Sequence, residues 1–186
     1  AVIEALDSDK EIDRIVIRRD LQGDLVKELL AKLKGRKDIY VQKVPVERLD
    51  RYTRKNHQGV IALVSSIIYQ SIEDIIPFLY ESSKVPLILI LDGITDVRNF
   101  GAIARTAEVA GVDAIVIPAK GSVSVSADAV KTSAGALLKI PVCKVNNLNQ
   151  SIRFLKDSGL TIVAATEKAA KNYTEADFQQ PIALIM

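Results

Sequence analysis

From residue 86 onward, short apolar runs alternate with helical patterns, and this alternation constrains the fold more than any other feature of the sequence. Residues 87–91 are continuously apolar, which is typical of a strand buried on both faces of a parallel sheet. Strands separated by helices predict an α/β domain with a mostly parallel sheet. Further strands are predicted at residues 114–117, 141–145, 161–165 and 182–186, and helices at 100–110, 126–134 and 151–158.

The first 65 residues carry a smaller alternation of strand and helix signals. A β-branched run at residues 15–17 predicts a strand. Leucines at helical spacing then predict an amphipathic helix over residues 25–33, which Gly35 ends. Two further strands are predicted at residues 39–41 and 60–64, and a short polar helix at 46–53.

The two patterns are separated by a stretch that resembles neither. Ser71 is a candidate cap for a short helix there, and acidic residues follow it in the first turn. We therefore expect a domain at residues 1–65, a connector at 66–85 and a second domain at 86–186.

The cysteine and histidine content excludes several kinds of site. Cys143 and His57 are the single residues of their types, so the chain cannot form an internal disulfide, a cysteine-rich zinc site or a multi-histidine metal centre. The net charge of +2, from 25 basic and 23 acidic residues, is too balanced to indicate nucleic-acid binding by itself. Basic side chains nevertheless cluster in the N-terminal part, where they are either partner contacts or solvated helix faces: Lys32, Lys34, Arg36 and Lys37, then Arg48, Arg51, Arg54 and Lys55.

Neither a targeting signal nor a membrane span is evident. The first seven residues lack a basic segment followed by a long apolar stretch, unlike a signal peptide. The apolar run at residues 85–91 is far shorter than the ~20 residues that cross a bilayer. We expect a cytoplasmic protein that does not bind membranes.

Common nucleotide and hydrolase signatures are missing. The sequence contains no G-x-x-x-x-G-K-[ST], and no G-x-G-x-x-G follows the first strand of the second domain. It also lacks the G-x-S-x-G elbow of α/β-hydrolases. A generic small-molecule α/β enzyme stays open as an interpretation, but no motif supports it.

The most informative stretch is residues 92–107, which runs from the end of a predicted buried strand into a helix. Ligand sites of parallel sheets lie beyond the carboxyl ends of their strands. Asn99 is a candidate cap for this helix. Arg105 lies in its second turn and either holds a phosphate through its planar guanidinium or pairs with Asp92 or Asp96 to brace the turn.

This stretch resembles motif one of the SpoU/TrmH class of SPOUT RNA 2′-O-ribose methyltransferases. The pattern D-x-x-N-x-G-x-x-x-R-T-A is met from Asp96 to Ala107. Residues 57–60, His-Gln-Gly-Val, resemble the close of the family's N-terminal substrate-binding domain. Residues 133–136, Ser-Ala-Gly-Ala, with the Pro-Val at 141–142 resemble its central helix and strand. The resemblance covers nearly the whole chain.

The resemblance implies a fold, a reaction and partners. The fold would be an L30e-like α/β substrate-binding domain followed by a SPOUT-type α/β domain with a mostly parallel sheet. The reaction would transfer a methyl group from S-adenosyl-L-methionine to a ribose 2′-hydroxyl of structured RNA. We expect 23S ribosomal RNA as substrate, with transfer RNA as the next choice, and a homodimer.

The resemblance also implies roles for individual residues. Arg105 would be the central catalytic residue, and Asn99 would shape the site beside it. His57 either contacts RNA or hydrogen-bonds locally through its ring. The cofactor would lie against Thr166, Leu184, Ile185 and Met186, and the RNA against Arg48, Arg51, Arg54, Lys55, His57 and Arg98.

Two departures from the family pattern concern the end of the chain. The strand predicted at residues 182–186 would be followed in the family by motifs two and three, which complete the trefoil knot around the cofactor, and neither follows here. The knot region is therefore incomplete in this sequence, and we expect a fragment of a longer polypeptide. A non-catalytic module that binds structured RNA is the alternative interpretation.

Overall fold

The computed structural model describes residues 1–8, 10–36 and 39–186. The chain divides into two units. The first contains residues 1–66 together with 124–126, and the second contains residues 67–123 and 127–186.

The first unit has a three-stranded sheet in the order β2-β1-β3, in which β1 runs parallel to β2 and antiparallel to β3. Parallel β1 and β2 end at the same edge of the sheet, where β3 begins. The elements in chain order are α1 (Val2–Leu6), β1 (Ile12–Arg18), α2 (Asp24–Leu33), β2 (Tyr40–Val44), α3 (Val46–Leu49) and β3 (Val60–Val64).

Apolar side chains cover both faces of β1. Ile15 and Ile17 pack with Leu29 and Leu33 of α2, whereas Val16 faces the other side and packs in a second cluster with Val44 and Leu49. Successive strand residues point to opposite faces, which explains this division. The polar helix predicted over residues 46–53 is a single turn, α3.

The second unit contains five parallel strands in the order β6-β5-β4-β8-β7. This confirms the predicted α/β domain with a mostly parallel sheet. The elements are α4 (Ile72–Glu81), β4 (Leu87–Ile90), α5 (Val97–Val109), β5 (Ala114–Pro118), α6 (Ala127–Thr132), β6 (Val142–Val145), α7 (Leu148–Asp157), β7 (Thr161–Ala164) and β8 (Ile182–Ile185).

Helix α4, which the sequence analysis placed in the connector, is packed into the second unit. Its apolar residues recur at helical spacing and form one stripe, which joins the core cluster that contains Ile88 and Ile90 of β4. Ser71 occupies the N-cap position, but its hydroxyl donates to the Glu73 carboxylate at 2.9 Å instead of capping the helix.

Helices α5 and α7 each begin three residues before their predicted starts. The carboxylate of Asp96 accepts from the Asn99 N–H at 2.8 Å, and the Asn147 side chain accepts from the Gln150 N–H at 3.1 Å. Each side chain satisfies a backbone donor of the first turn, so the helix starts there. Across residues 1–8, 10–36 and 39–186, no helix is both long and apolar enough to span a bilayer.

Candidate active site

The carboxyl end of β4 leads directly into the start of α5. Gly93 adopts a left-handed φ of 80° just after the strand, and Asp96 then caps the helix. The prediction that Asn99 caps α5 is therefore wrong. Asn99 lies in the first turn, its side chain is exposed, and its backbone N–H is the group that Asp96 holds.

Gly101 sets the distance between α5 and α6. A Cβ at this position would lie 2.7 Å from Cβ of Thr132 and 3.0 Å from the backbone nitrogen of Ser133. Real Cβ atoms essentially never show the first distance, and the second is tighter than nine in ten of their contacts, so another residue here would force the helices apart. Gly101, Ala104 and Phe100 are buried, and they fix the inner face of the helix that carries Arg105.

Arg105 is exposed on the outer face of α5. Within the described part of the chain it has neither an ion-pair nor a hydrogen-bond partner, so pairing with Asp92 or Asp96 is not observed. Arg98 lies about two helical turns earlier and is also exposed, as is Asn99 beside it. Arg98 and Arg105 thus share one face of α5, whereas Asn99 is exposed about 120° around the helix from Arg105.

A cleft of about 750 Å³ lies at the carboxyl ends of β7 and β8. Three of the four predicted cofactor residues line it: Thr166, Leu184 and Met186. The residues that follow β7 form its other wall, with Tyr173 81% exposed and Phe178 49% exposed. Its size is in the range of small-molecule and cofactor sites, and its walls combine apolar and carboxylate side chains.

Ile185, the fourth predicted cofactor residue, does not line this cleft. It packs against the core cluster that contains α4, on the opposite face of the sheet from Leu184. The cause is the two-residue period of strand β8, which separates Ile185 from Leu184 and Met186.

A second, apolar cleft of about 360 Å³ runs beside α5. Leu184 and Met186 line this cleft as well, together with Ala102 and Thr106 of α5. The two residues therefore contribute to both clefts, and the smaller, apolar cleft is the one that α5 borders.

The basic residues predicted to contact RNA in the first unit are all exposed. Arg48 lies on α3, and Arg51, Arg54 and Lys55 follow it in the connection to β3. Lys32 is instead paired with Asp7 at 2.8 Å, and this hydrogen bond raises the pKa of its ammonium group. Lys37 of the same basic cluster lies outside the described residues.

His57, the remaining predicted RNA contact, is engaged within the protein. Its Nδ1 accepts from the Gly59 N–H at 3.0 Å, and its Nε2 lies 3.0 Å from Oδ1 of Asp50. Because Nδ1 accepts, the proton of the neutral ring is on Nε2 and is donated to Asp50. The ring is 13% exposed, and its two hydrogen bonds join Asp50 to the backbone at Gly59.

Cys143 lies in the core of the second unit. Burial raises the pKa of its thiol to about 12. The thiol is therefore protonated near neutral pH and does not act as a nucleophile.

The sequence analysis missed the lining that follows β7. Residues 166–178 have no helical or strand periodicity, so nothing in their pattern predicted that Tyr173 and Phe178 border the cleft. It also missed Asp96 as the cap of α5, although aspartate three residues before Asn99 is a typical N-cap signal.

Comparison with known proteins assigns the chain to a family. A family model described as "SpoU rRNA Methylase family" matches residues 86–186, which is more than half of the chain. The chain belongs to the SpoU methyltransferase family. A second model, described as RNA 2′-O ribose methyltransferase substrate binding, matches residues 1–70. The family predicted from motif one is thus confirmed, and SpoU enzymes are RNA 2′-O-ribose methyltransferases.

Relatives of this SpoU chain agree along its whole length. A protein from Staphylococcus saprophyticus, named as a TrmH family tRNA/rRNA methyltransferase, is 35% identical over all 186 residues. A protein of the same name from Staphylococcus epidermidis is 33% identical. The chain spans 74% of each of these two relatives.

Solved structures of SpoU enzymes share the fold. The AdoMet-bound rRNA methyltransferase from Sinorhizobium meliloti is 25% identical, with a TM-score of 0.55, and the match covers 100% of this chain and 66% of that one. The SpoU methyltransferase AviRb from Streptomyces viridochromogenes is 17% identical, with a TM-score of 0.54, and the match covers 99% of this chain and 67% of that chain. The similarity to AviRb supports the fold alone.

Proposed function

We propose that this SpoU chain transfers a methyl group from S-adenosyl-L-methionine to a ribose 2′-hydroxyl of large-subunit (23S) ribosomal RNA. The observation that carries the proposal is the exposed side of α5. There the side chains of Asn99 and Arg105 are exposed and, among the described residues, without hydrogen-bond or ion-pair partners, on the helix that borders the apolar cleft. Leu184 and Met186 line both this cleft and the larger one at the ends of β7 and β8. In parallel α/β sheets, ligand sites lie beyond the carboxyl ends of the strands, and catalytic side chains are held most accurately when they lie on helices or strands.

Arg105 is proposed as the catalytic residue. The 2′-hydroxyl is a poor nucleophile until its proton leaves and its developing negative charge is stabilised. A guanidinium stays protonated in proteins, so Arg105 acts here as a hydrogen-bond donor and not as a base, and the proton of the 2′-hydroxyl passes to water at the exposed side of α5. It would hold the phosphate next to the target ribose and orient the hydroxyl, while Asn99 hydrogen-bonds beside it.

The larger cleft is proposed as the cofactor site. Leu184 and Met186 offer apolar surface to an adenine ring, and the exposed Tyr173 lies across the cleft from them. Thr166 and Glu167 provide a hydroxyl and a carboxylate for ribose or amino groups. When bound, the sulfonium cofactor supplies an electrophilic methyl group, and the protein contributes its position and the exclusion of water.

The RNA is proposed to contact both units. Exposed arginines and lysines attract phosphates, and A-form helices are recognised mostly by shape and backbone contacts. Arg48, Arg51, Arg54 and Lys55 would supply this attraction in the first unit, and Arg98 in the second. We also propose a homodimer in the cytoplasm, as the family resemblance implies.

Ribosomal RNA is favoured over transfer RNA by the names of similar proteins. The matching family model and the S. meliloti enzyme are described by rRNA alone, whereas the staphylococcal relatives are named for both RNAs. Transfer RNA is therefore the second candidate substrate.

The test is methyl transfer by the intact protein with labelled AdoMet. Unmodified transcripts of 23S rRNA, 16S rRNA and a tRNA set serve as substrates, followed by nucleoside analysis for 2′-O-methylation. We expect label in 23S rRNA. Label only in tRNA would select the second candidate, and RNA binding without transfer to any transcript would support the non-catalytic module.

A further inference from the structure

The segment from Asp50 to Val60 ends in a turn whose backbone and histidine ring are fully engaged. The His57 carbonyl accepts from the Val60 N–H at 2.9 Å, which closes a four-residue turn. The Gly59 carbonyl accepts from the Arg18 N–H of β1 at 2.8 Å. With Asp50 and the Gly59 N–H on its two ring nitrogens, His57 has no nitrogen left for a ligand.

Gln58 is held at the tip of this turn in an unusual conformation. Its φ is 50°, in the left-handed region that non-glycine residues seldom adopt, and Gly59 follows at φ 82°. The Gln58 N–H donates to Asn56 Oδ1 at 3.3 Å, so neighbours secure the backbone on both sides. Glycine would occupy position 58 with less strain. At position 59 the left-handed φ and an added Cβ that would lie 2.9 Å from Leu21 Cδ1 both favour glycine.

The side chain of Gln58 has no structural task. It is exposed, and within the described residues its amide has no hydrogen-bond partner. The amide therefore presents a donor and an acceptor, side by side, from a fixed backbone. This combination matches the edge of a nucleobase, which also has donors and acceptors next to each other.

The surroundings of Gln58 are basic. The turn lies at the edge where β1 and β2 end, beside exposed Arg19, Arg54 and Lys55. Of the acids at this edge, Asp20 pairs with Arg18 at 2.8 Å, whereas Asp50 accepts from the neutral ring of His57 and keeps its charge. The exposed cations Arg19, Arg54 and Lys55 attract an RNA backbone toward the amide of Gln58.

We propose that Gln58 contacts a base of the RNA substrate, and that His57, predicted above as an RNA contact, is the positioning residue that holds the turn. The base is an unpaired one, because the deep major groove of an RNA helix does not admit side chains. This inference rests on the proposed function, since it concerns the same RNA.

The test compares Gln58→Gly with the matched control Ser83→Gly. Ser83 is an exposed residue of the second unit with φ 55°, so the control relieves the same backbone conformation at a distance along the chain from the basic edge. Neither variant should lower the melting temperature, because each gives glycine a conformation that it prefers. We expect Gln58→Gly to bind the 23S transcript roughly tenfold more weakly and Ser83→Gly to bind it as the parent does.

Salt dependence separates a base contact from a phosphate contact. Arg54→Ala should lower the slope of log K against log salt concentration by about one, whereas Gln58→Gly should leave it unchanged. Gln58→Asn keeps an amide and tolerates the left-handed region, so it should regain part of the lost affinity. Gln58→Gly binding as tightly as the parent would overturn the proposal, as would a changed slope. Absence of RNA binding by the parent protein would instead refute the proposed function itself.

Discussion

The two units hold their proposed RNA contacts in different ways. In the second unit, Asn99 and Arg105 lie on a thirteen-residue helix whose start is capped by Asp96 and whose inner face is pressed against α6 at Gly101. In the first unit, the basic residues lie on a four-residue helix and the loop after it. Chemistry requires atoms held within a fraction of an ångström, whereas attraction of phosphates tolerates adjustable side chains. We therefore expect activity to depend sharply on α5 and gradually on the basic loop.

The largest expected effect is that of Arg105→Ala on methyl transfer. Removing a group that orients the hydroxyl and stabilises developing charge should reduce the rate by about a hundredfold or more. Single-turnover rates at saturating RNA measure this without interference from binding. The matched control is Arg153→Ala, an exposed arginine on α7. Equal rates for the Arg105→Ala variant and the parent would contradict the assignment of catalysis to α5.

A second prediction concerns Gly101→Ala. The added methyl would lie 2.7 Å from Thr132 Cβ, so we expect a loss of about 1–3 kcal/mol in the free energy of unfolding, together with reduced transfer. Denaturant unfolding followed by circular dichroism measures the loss. An unchanged midpoint would show that α5 and α6 can separate without a loss of folding free energy. It would then contradict the expectation that α5 is held more rigidly than the basic loop of the first unit.

The helix caps offer a matched pair with a smaller effect on stability. Asp96→Ala and Asn147→Ala each remove a side chain that accepts from the first turn, and each should cost about 1 kcal/mol of stability. Only Asp96→Ala should slow methyl transfer in folded protein, because its helix carries Asn99 and Arg105. Similar rates for the two variants would mean that the start of α5 does not set the site geometry.

The smallest effect is expected in the first unit, from Arg51→Ala. Loss of one phosphate contact should weaken RNA binding a few-fold and lower the salt slope by about one, with little change in the single-turnover rate. Binding measured at several salt concentrations tests this. A large loss of rate at saturating RNA would show that Arg51 contributes to methyl transfer as well as to binding. The assignment of binding to the first unit and of catalysis to α5 would then be wrong.

Periodicity explains why the second unit was predictable. Continuous apolar runs such as residues 87–91 indicated buried parallel strands, and the motif from Asp96 to Ala107 was read directly from residue types. The helix starts were missed because a cap depends on one side-chain hydrogen bond, as at Asp96 and Asn147. Ile185 was grouped with Leu184 in the sequence analysis, whereas the two-residue period of the strand puts the two side chains on opposite faces of the sheet.

Other parts of the site lacked a sequence signal. The residues after β7 form a wall of the larger cleft without any periodic pattern, so Tyr173 could be located only in three dimensions. The hydrogen bond of the His57 ring to Asp50 joins residues seven positions apart, and the segment between them has no helical or strand periodicity that would predict this contact. The sequence had left open whether this histidine contacts RNA or hydrogen-bonds locally, and the structure shows both ring nitrogens occupied.

Leu184 and Met186 line both the large cleft and the apolar cleft beside α5. A molecule that presses on these side chains from one cleft changes the shape of the other. Thermodynamic linkage makes such an influence reciprocal: whatever strengthens occupancy on one side is strengthened, by the same factor, from the other. Leu184 and Met186 form a wall that the two clefts share, so a ligand in one cleft that displaces these side chains would change the affinity of the other cleft for its own ligand.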